Sequence, residues 1–138
     1  MPEPISAFAQ SLAATPKIAA LPAAQMRIVV AMRIAVLAWR KGQDPKPYLV
    51  KQLGDETAAR HFAHIIELMS DCWPEPIMVH RPCCQQTSYD EMLMLDLTTA
   101  AVQREADHFH GLLGEMLGRS DRQKLHLGFT KFTSRFRR

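Results

Sequence analysis

No apolar run in this 138-residue chain is long enough to cross a bilayer. The longest, Ile28 to Trp39, is interrupted by Arg33, whereas a spanning helix needs about 20 apolar residues. A disulfide framework is excluded as well. The 3 cysteines, Cys72, Cys83 and Cys84, are odd in number, and adjacent cysteines rarely reach disulfide geometry without strain. Free thiols of this kind point to a reducing, cytoplasmic setting. The start of the chain, Met1 to Phe8, carries Glu3 and two prolines where a signal peptide would need a basic start and a long apolar stretch, so secretion is not expected.

The common catalytic signatures are missing too. There is no Gly-rich phosphate loop, no Gly-x-Ser-x-Gly elbow and no His-Glu-x-x-His helix, which removes the usual nucleotide, esterase and metalloprotease readings. No internal repeat occurs, and no alternation of apolar and polar residues is long enough for a strand. Hydrophobic residues nonetheless make up 47% of the chain and charged residues 22%, the composition of a globular domain. What remains is helical periodicity, which predicts an all-α single domain over residues 1–138, a compact bundle of five to six helices.

Proline can sit in the first turn of a helix at Thr15-Pro16 and at Leu21-Pro22, and the second opens a long helix from about Ala23 to Lys41. That helix is apolar nearly all round, the mark of a central element. Gly42 to Pro45 ends it, and a short segment, Pro47 to Leu53, follows. Asp55 can then cap a helix to about Cys72, with Ala58, Phe62, Ile65, Ile66, Met69 and Trp73 on its core face. Trp73-Pro74-Glu75-Pro76 stops that helix, and residues 77–86 are irregular, with a short extended piece expected at Ile77–Val79. Ser88 and Glu91 form a capping box for a helix through Met92, Leu95 and Val102. Two helices rather than one are expected over 88–118, the second beginning near Asp107. Ser120 is a candidate cap for a last helix with Leu125, Phe129, Phe132 and Phe136 on its apolar side.

The segment His80-Arg81-Pro82-Cys83-Cys84 gathers an imidazole, a guanidinium and two thiols just before a helix N-terminus, which favours thiolate. Cys83, Cys84 and His80 are therefore candidate ligands for zinc or another soft metal, or a reactive thiol site. Structural zinc sites use two cysteine pairs with a spacer of two to four residues, and this chain has one pair with none. Ordinary packing of one cysteine beside an exposed one is the competing reading, and the spacing favours it. The stretch from Ile77-Met78-Val79 through Pro82-Cys83-Cys84 to Asp90-Glu91, Leu93 and Leu95 resembles small bacterial proteins of unassigned function that carry a Pro-Cys-Cys block before a helix. The resemblance spans about a quarter of the chain and implies an all-helical domain with no catalytic assignment to carry over.

His61 and His64 lie at i and i+3, with Glu67 one step further, a spacing that can present two imidazoles and a carboxylate to one metal. A solvated polar face is the favoured alternative. His108 and His110, with Asp107 beside them, can serve one site only if they lie in a connection. Arg33, amid Val29, Val30, Ile34 and Ala35, must pair with a carboxylate such as Asp96 or Glu91 if buried. The preferred reading places it with Arg40 on a narrow solvent stripe.

Charge is uneven. Of the 17 Lys/Arg and 14 Asp/Glu, 7 and 1 fall in residues 119–138, leaving 10 and 13 in residues 1–118, so the basic C-terminal segment accounts for the net +3. Its candidate partner-binding residues are Phe132, Arg135, Arg137 and Arg138. Such a segment can hold phosphates, acidic lipid or an acidic partner, and phenylalanines can stack on single-stranded bases, but no nucleic-acid motif accompanies the charge. The phenylalanines recur at helical spacing, which favours packing on the domain or on a second chain. The function expected is a helical interaction or regulatory module without catalysis, binding itself through the long helix or the tail, or binding another protein. No cofactor is expected unless the thiols hold a soft metal.

Overall fold

A computed structural model describes residues 16–136. Proline organises the entry to the first helix. Pro22 occupies the N-cap position of α1, Ala23–Arg40, preceded by a single 3₁₀ turn at Ile18–Ala20. The remaining helices are α2, Lys46–Leu53; α3, Glu56–Cys72; α4, Tyr89–Val102; α5, Ala106–Leu113; and α6, Arg119–Arg135. The protein is an all-α bundle, and among the described residues no helix is long and apolar enough to cross a membrane.

Local chemistry accounts for most boundaries. Gly54 ends α2 at φ 76°, a left-handed conformation that suits glycine, and its N–H donates to the Val50 carbonyl. Asp55 then caps α3 by accepting the Ala58 N–H at 2.8 Å. Ser88 and Glu91 form the full capping box of α4, each side chain accepting the other's backbone N–H. The expected break after α4 is present, made at Arg104, a non-glycine residue with φ 59°. One expectation fails locally. α6 is capped by Gly118, without a side-chain bond, two residues before Ser120. Ile77–Val79, expected to be a short extended piece, is outside every helix and joins no strand; the one bridge among the described residues joins Lys17 and Gln86.

α3 and α6 pack as an antiparallel pair. Asp55 at the start of α3 meets Arg135 at the end of α6, Phe62 lies 5.1 Å from Phe132 between ring centroids, and Gly128 sits against Ile65 and Leu68. The apolar face of α1 (Ile28, Val29, Met32, Ala35, Val36) and that of α6 (Leu125, Phe129, Phe132, Phe136) enter one core shared with α3 and α4. The apolar faces of the long helix and of the phenylalanine-bearing tail are thus covered within the chain's own core, while Trp39 and Leu127 on the same two helices stay exposed.

Candidate functional site

The irregular segment between α3 and α4 is organised by one side chain from α1. Arg33 is fully buried, which corrects the solvent-stripe expectation. Its Nε and Nη2 donate to Glu91 at 2.9 and 3.0 Å, Nη1 to the carbonyls of Cys84 at 2.8 Å, Arg81 at 3.2 Å and Pro82 at 3.4 Å, and Nη2 to that of Gln86 at 2.8 Å. Glu91 also accepts the N–H of His80 at 2.9 Å. A guanidinium buried this way is tolerable because every donor finds an acceptor. Ile77 and Met78 are held from outside: Arg40 donates to the Ile77 carbonyl, the Met78 N–H donates to Asp90 at 2.7 Å, and Ser88 donates to the Met78 carbonyl at 2.6 Å. Side chains replace the ladder that a strand would have supplied.

Cys83 and Cys84 ride on this fixed turn, closed by the Cys84 N–H to the Arg81 carbonyl at 2.9 Å. Cys83 is exposed and Cys84 half-buried. His80 is half-buried, its backbone tied to Glu91. Among the described residues no three His, Cys, Asp or Glu side chains stand where they could share an ion, so neither the Cys83, Cys84, His80 set nor the His61, His64, Glu67 set is brought together as a complete ligand sphere. The third cysteine, Cys72, is half-buried, and burial followed by the nearby Asp121 carboxylate pushes its thiol pKa up, away from reactivity.

Burial, and then the surrounding charges of Arg60, Lys131, Arg135 and His64, hold the pKa of His61 below its ordinary value. His64 is exposed. His110 and His126 meet across α5 and α6 at 5.4 Å between ring centroids, with Phe109 edge-on to His126 at 4.9 Å. His108 takes no part in this contact. Of the candidate partner-binding residues, Phe132 is fully buried between Phe62 and Phe136, so its ring is not presented to a partner. Arg135 is exposed and pairs with Asp55 at 3.1 Å. Arg137 and Arg138 lie outside the described residues.

Concave surfaces that no sequence motif marks lie at the ends of α1 and α3. A cleft of about 340 Å³ is lined by Trp39, Arg40, Ser70, Trp73, Pro74, Glu75 and Pro76, with Val36 and Ile77 beneath. Trp39 also borders a cleft of about 500 Å³ that includes Asp44, Pro45, Lys46 and Glu67. Pro74 borders another, of about 550 Å³, with Tyr89, Leu93, Leu112, Glu115 and Met116. The first cleft therefore shares Trp39 with the second and Pro74 with the third. Both tryptophans of the chain border the central one, with Trp39 45% exposed, and Tyr89 in the third is 76% exposed. The available sequence signal was that α1 and α3 both finish beside a tryptophan, a costly residue to leave wet.

Acidic side chains outnumber basic ones on this surface. Asp44, Glu67, Glu75 and Glu115 are exposed, and among the described residues none of them forms an ion pair. Against them stand Lys46 and Arg40, whose guanidinium is already bonded to the Ile77 carbonyl. Compared with family models, curated proteins and solved structures, the chain matches none.

Proposed function

We propose that this protein is a non-catalytic helical interaction module, acting in a reducing cytoplasmic setting, whose docking surface is the groove of three adjoining clefts. Its occupant is an apolar segment of another protein that carries basic residues. The observation that carries the reading is that Trp39, Trp73 and Tyr89 line clefts that share Trp39 and Pro74, among four carboxylates that form no ion pair within the described residues. Large aromatic side chains supply contact area at low entropic cost and are enriched at interfaces. The carboxylates select against acidic competitors.

Tryptophan emission tests this directly, because both indoles line the groove. Titrating the full chain with apolar peptides bearing either arginines or glutamates is expected to give a saturable emission change for the basic set, lost in Trp39→Ala. Absence of any saturable change with the basic set, or equal responses to both sets, removes the reading. A soft-metal or thiol site at Cys83 and Cys84 is the second reading, supported by the exposure of Cys83 on a turn whose backbone is immobilised. Metal analysis of the purified protein beside Cys83→Ser/Cys84→Ser tests it.

A further inference from the structure

A further cleft, of about 340 Å³, lies where the turn between α4 and α5 meets α6, and shares no residue with the clefts around Trp39 and Pro74. Its polar lining is Arg104 from the turn and His126, Thr130, Thr133 and Ser134 from α6. Two of these side chains can carry positive charge, and no carboxylate lines the cleft. Glu105 and Asp107 flank the turn in sequence without joining the lining.

Arg104 occupies a position where an arginine is costly. The N–H of Glu105 donates to the Ala100 carbonyl at 2.9 Å and that of Arg104 to the Ala101 carbonyl at 3.2 Å, which closes the end of α4. Such a cap needs one residue in the left-handed region, and glycine usually supplies it because a side chain is strained there. Arg104 adopts it at φ 59°. Among the described residues its guanidinium forms neither a hydrogen bond nor an ion pair, so no polar contact within them offsets that strain.

His126 is half-buried, and its ring also forms no hydrogen bond among the described residues. The charged and titratable groups around it are Arg104 across the cleft lining and His110 on α5, whose ring accepts from Arg122 of α6 at 3.4 Å. Burial, then His110, hold its pKa below the ordinary value. Thr130, Thr133 and Ser134 donate to carbonyls of their own helix at 2.8, 2.9 and 2.8 Å, and each hydroxyl can rotate to donate to an anion instead.

We infer that this cleft binds the phosphate group of a small phosphomonoester. Two cationic groups and three hydroxyls match a dianion with three free oxygens better than a carboxylate with a single charge. Arg104 supplies permanent charge and a planar fork suited to phosphate oxygens, and His126 takes up a proton as the anion binds. Ala101, Val102 and Ala106 offer the organic part of the ester an apolar surface.

The test titrates the full chain with inorganic phosphate, phenyl phosphate and benzoate at matched ionic strength, followed by calorimetry and by NMR titration of the His126 ring. Both phosphates are expected to bind saturably, phenyl phosphate more tightly, and to raise the pH at which His126 titrates. Benzoate should be at least about tenfold weaker than phenyl phosphate. Asparagine tolerates the left-handed conformation, so Arg104→Asn should keep the parent's urea midpoint while weakening phenyl phosphate about tenfold. Equal binding of benzoate, or a response that follows ionic strength alone, overturns the inference, as does the absence of saturable binding. Phosphate binding that survives Arg104→Asn/His126→Gln also overturns it and assigns the anion to other cations of the chain. A phosphoserine peptide that binds more tightly than phenyl phosphate overturns the small ester and makes a protein side chain the source of the phosphate.

Discussion

Arg33 and Glu91, 58 residues apart in sequence, face each other as a bidentate pair at 2.9 and 3.0 Å with both side chains fully buried. A buried ion pair is by itself weak evidence for stability, since desolvation offsets much of the attraction. This one does something further: the same guanidinium binds the carbonyls of Arg81, Pro82, Cys84 and Gln86, which belong to no helix or strand. Arg33→Met is expected to lower the free energy of urea unfolding by about 3–5 kcal/mol. Arg33→Met/Glu91→Leu should recover little, because the orphaned carbonyls remain. A double variant within about 1 kcal/mol of the parent would reduce the role of Arg33 to neutralising Glu91.

That pair also marks the boundary of what the sequence makes legible. The capping box at Ser88 and Glu91 is readable because its partners are three residues apart, and the α4–α5 break because periodicity resets locally. Whether Arg33 snorkels or is buried depends on an acceptor set 48 to 58 residues away, which no local pattern encodes. The tail poses the same problem in reverse. Spacing identified Leu125, Phe129, Phe132 and Phe136 as one face, but only the antiparallel fit to Phe62 and Ile65 decides that this face closes on its own domain. The groove was hidden because it is assembled from several separate stretches of chain, with one or two side chains from each.

The glycines at 54 and 128 should respond oppositely to alanine. A Cβ at Gly128 would lie 3.4 Å from Ile65 Cγ1 and 3.7 Å from Leu68 Cδ1, ordinary contact for a buried helical position. Relief of glycine's backbone entropy in α6 then dominates, and Gly128→Ala is expected to stabilise by about 0.5–1 kcal/mol. At Gly54, φ 76° forces an alanine into the left-handed region, and Gly54→Ala should destabilise by about 1 kcal/mol. Paired urea melts check both, and a destabilised Gly128→Ala would mean that the α3–α6 contact cannot give by even a few tenths of an ångström.

Stability should fall as the solution is acidified below neutrality. Burial, followed by His110, holds His126 below its ordinary value of 6.5; burial, then Arg60, Lys131, Arg135 and His64, does the same for His61. The folded state therefore favours neutral rings. Their contribution is fully present above about pH 6.5 and is lost as pH falls through that value toward their lowered folded pKa values, because the unfolded chain binds protons first. Asp55 acts in a separate, more acidic window. The Ala58 N–H and then Arg135 lower its pKa, so its contribution is present above about 3.8 and lost below. The midpoint of urea unfolding should drop between about pH 7.5 and 5.5, and His61→Gln/His126→Gln should flatten that slope. An unchanged slope in the double variant would assign the effect to other groups.

Cys83 and Cys84 test whether the turn between α3 and α4 depends on its thiols or only displays them. Every bond that fixes the turn is made by backbone: the Cys84 N–H to Arg81, and the carbonyls of residues 81, 82, 84 and 86 to Arg33. Replacing sulfur by oxygen leaves all of these in place. Cys83→Ser/Cys84→Ser is therefore expected to change unfolding free energy by no more than about 0.5 kcal/mol. In the parent, an aromatic disulfide reagent should label exposed Cys83 before half-buried Cys84, and Arg33→Met should bring the two rates together as the turn loosens. A loss of several kcal/mol in the double serine variant, together with metal released on its purification, would instead make the thiols ligands and move the functional centre of the protein from the tryptophan groove to this turn.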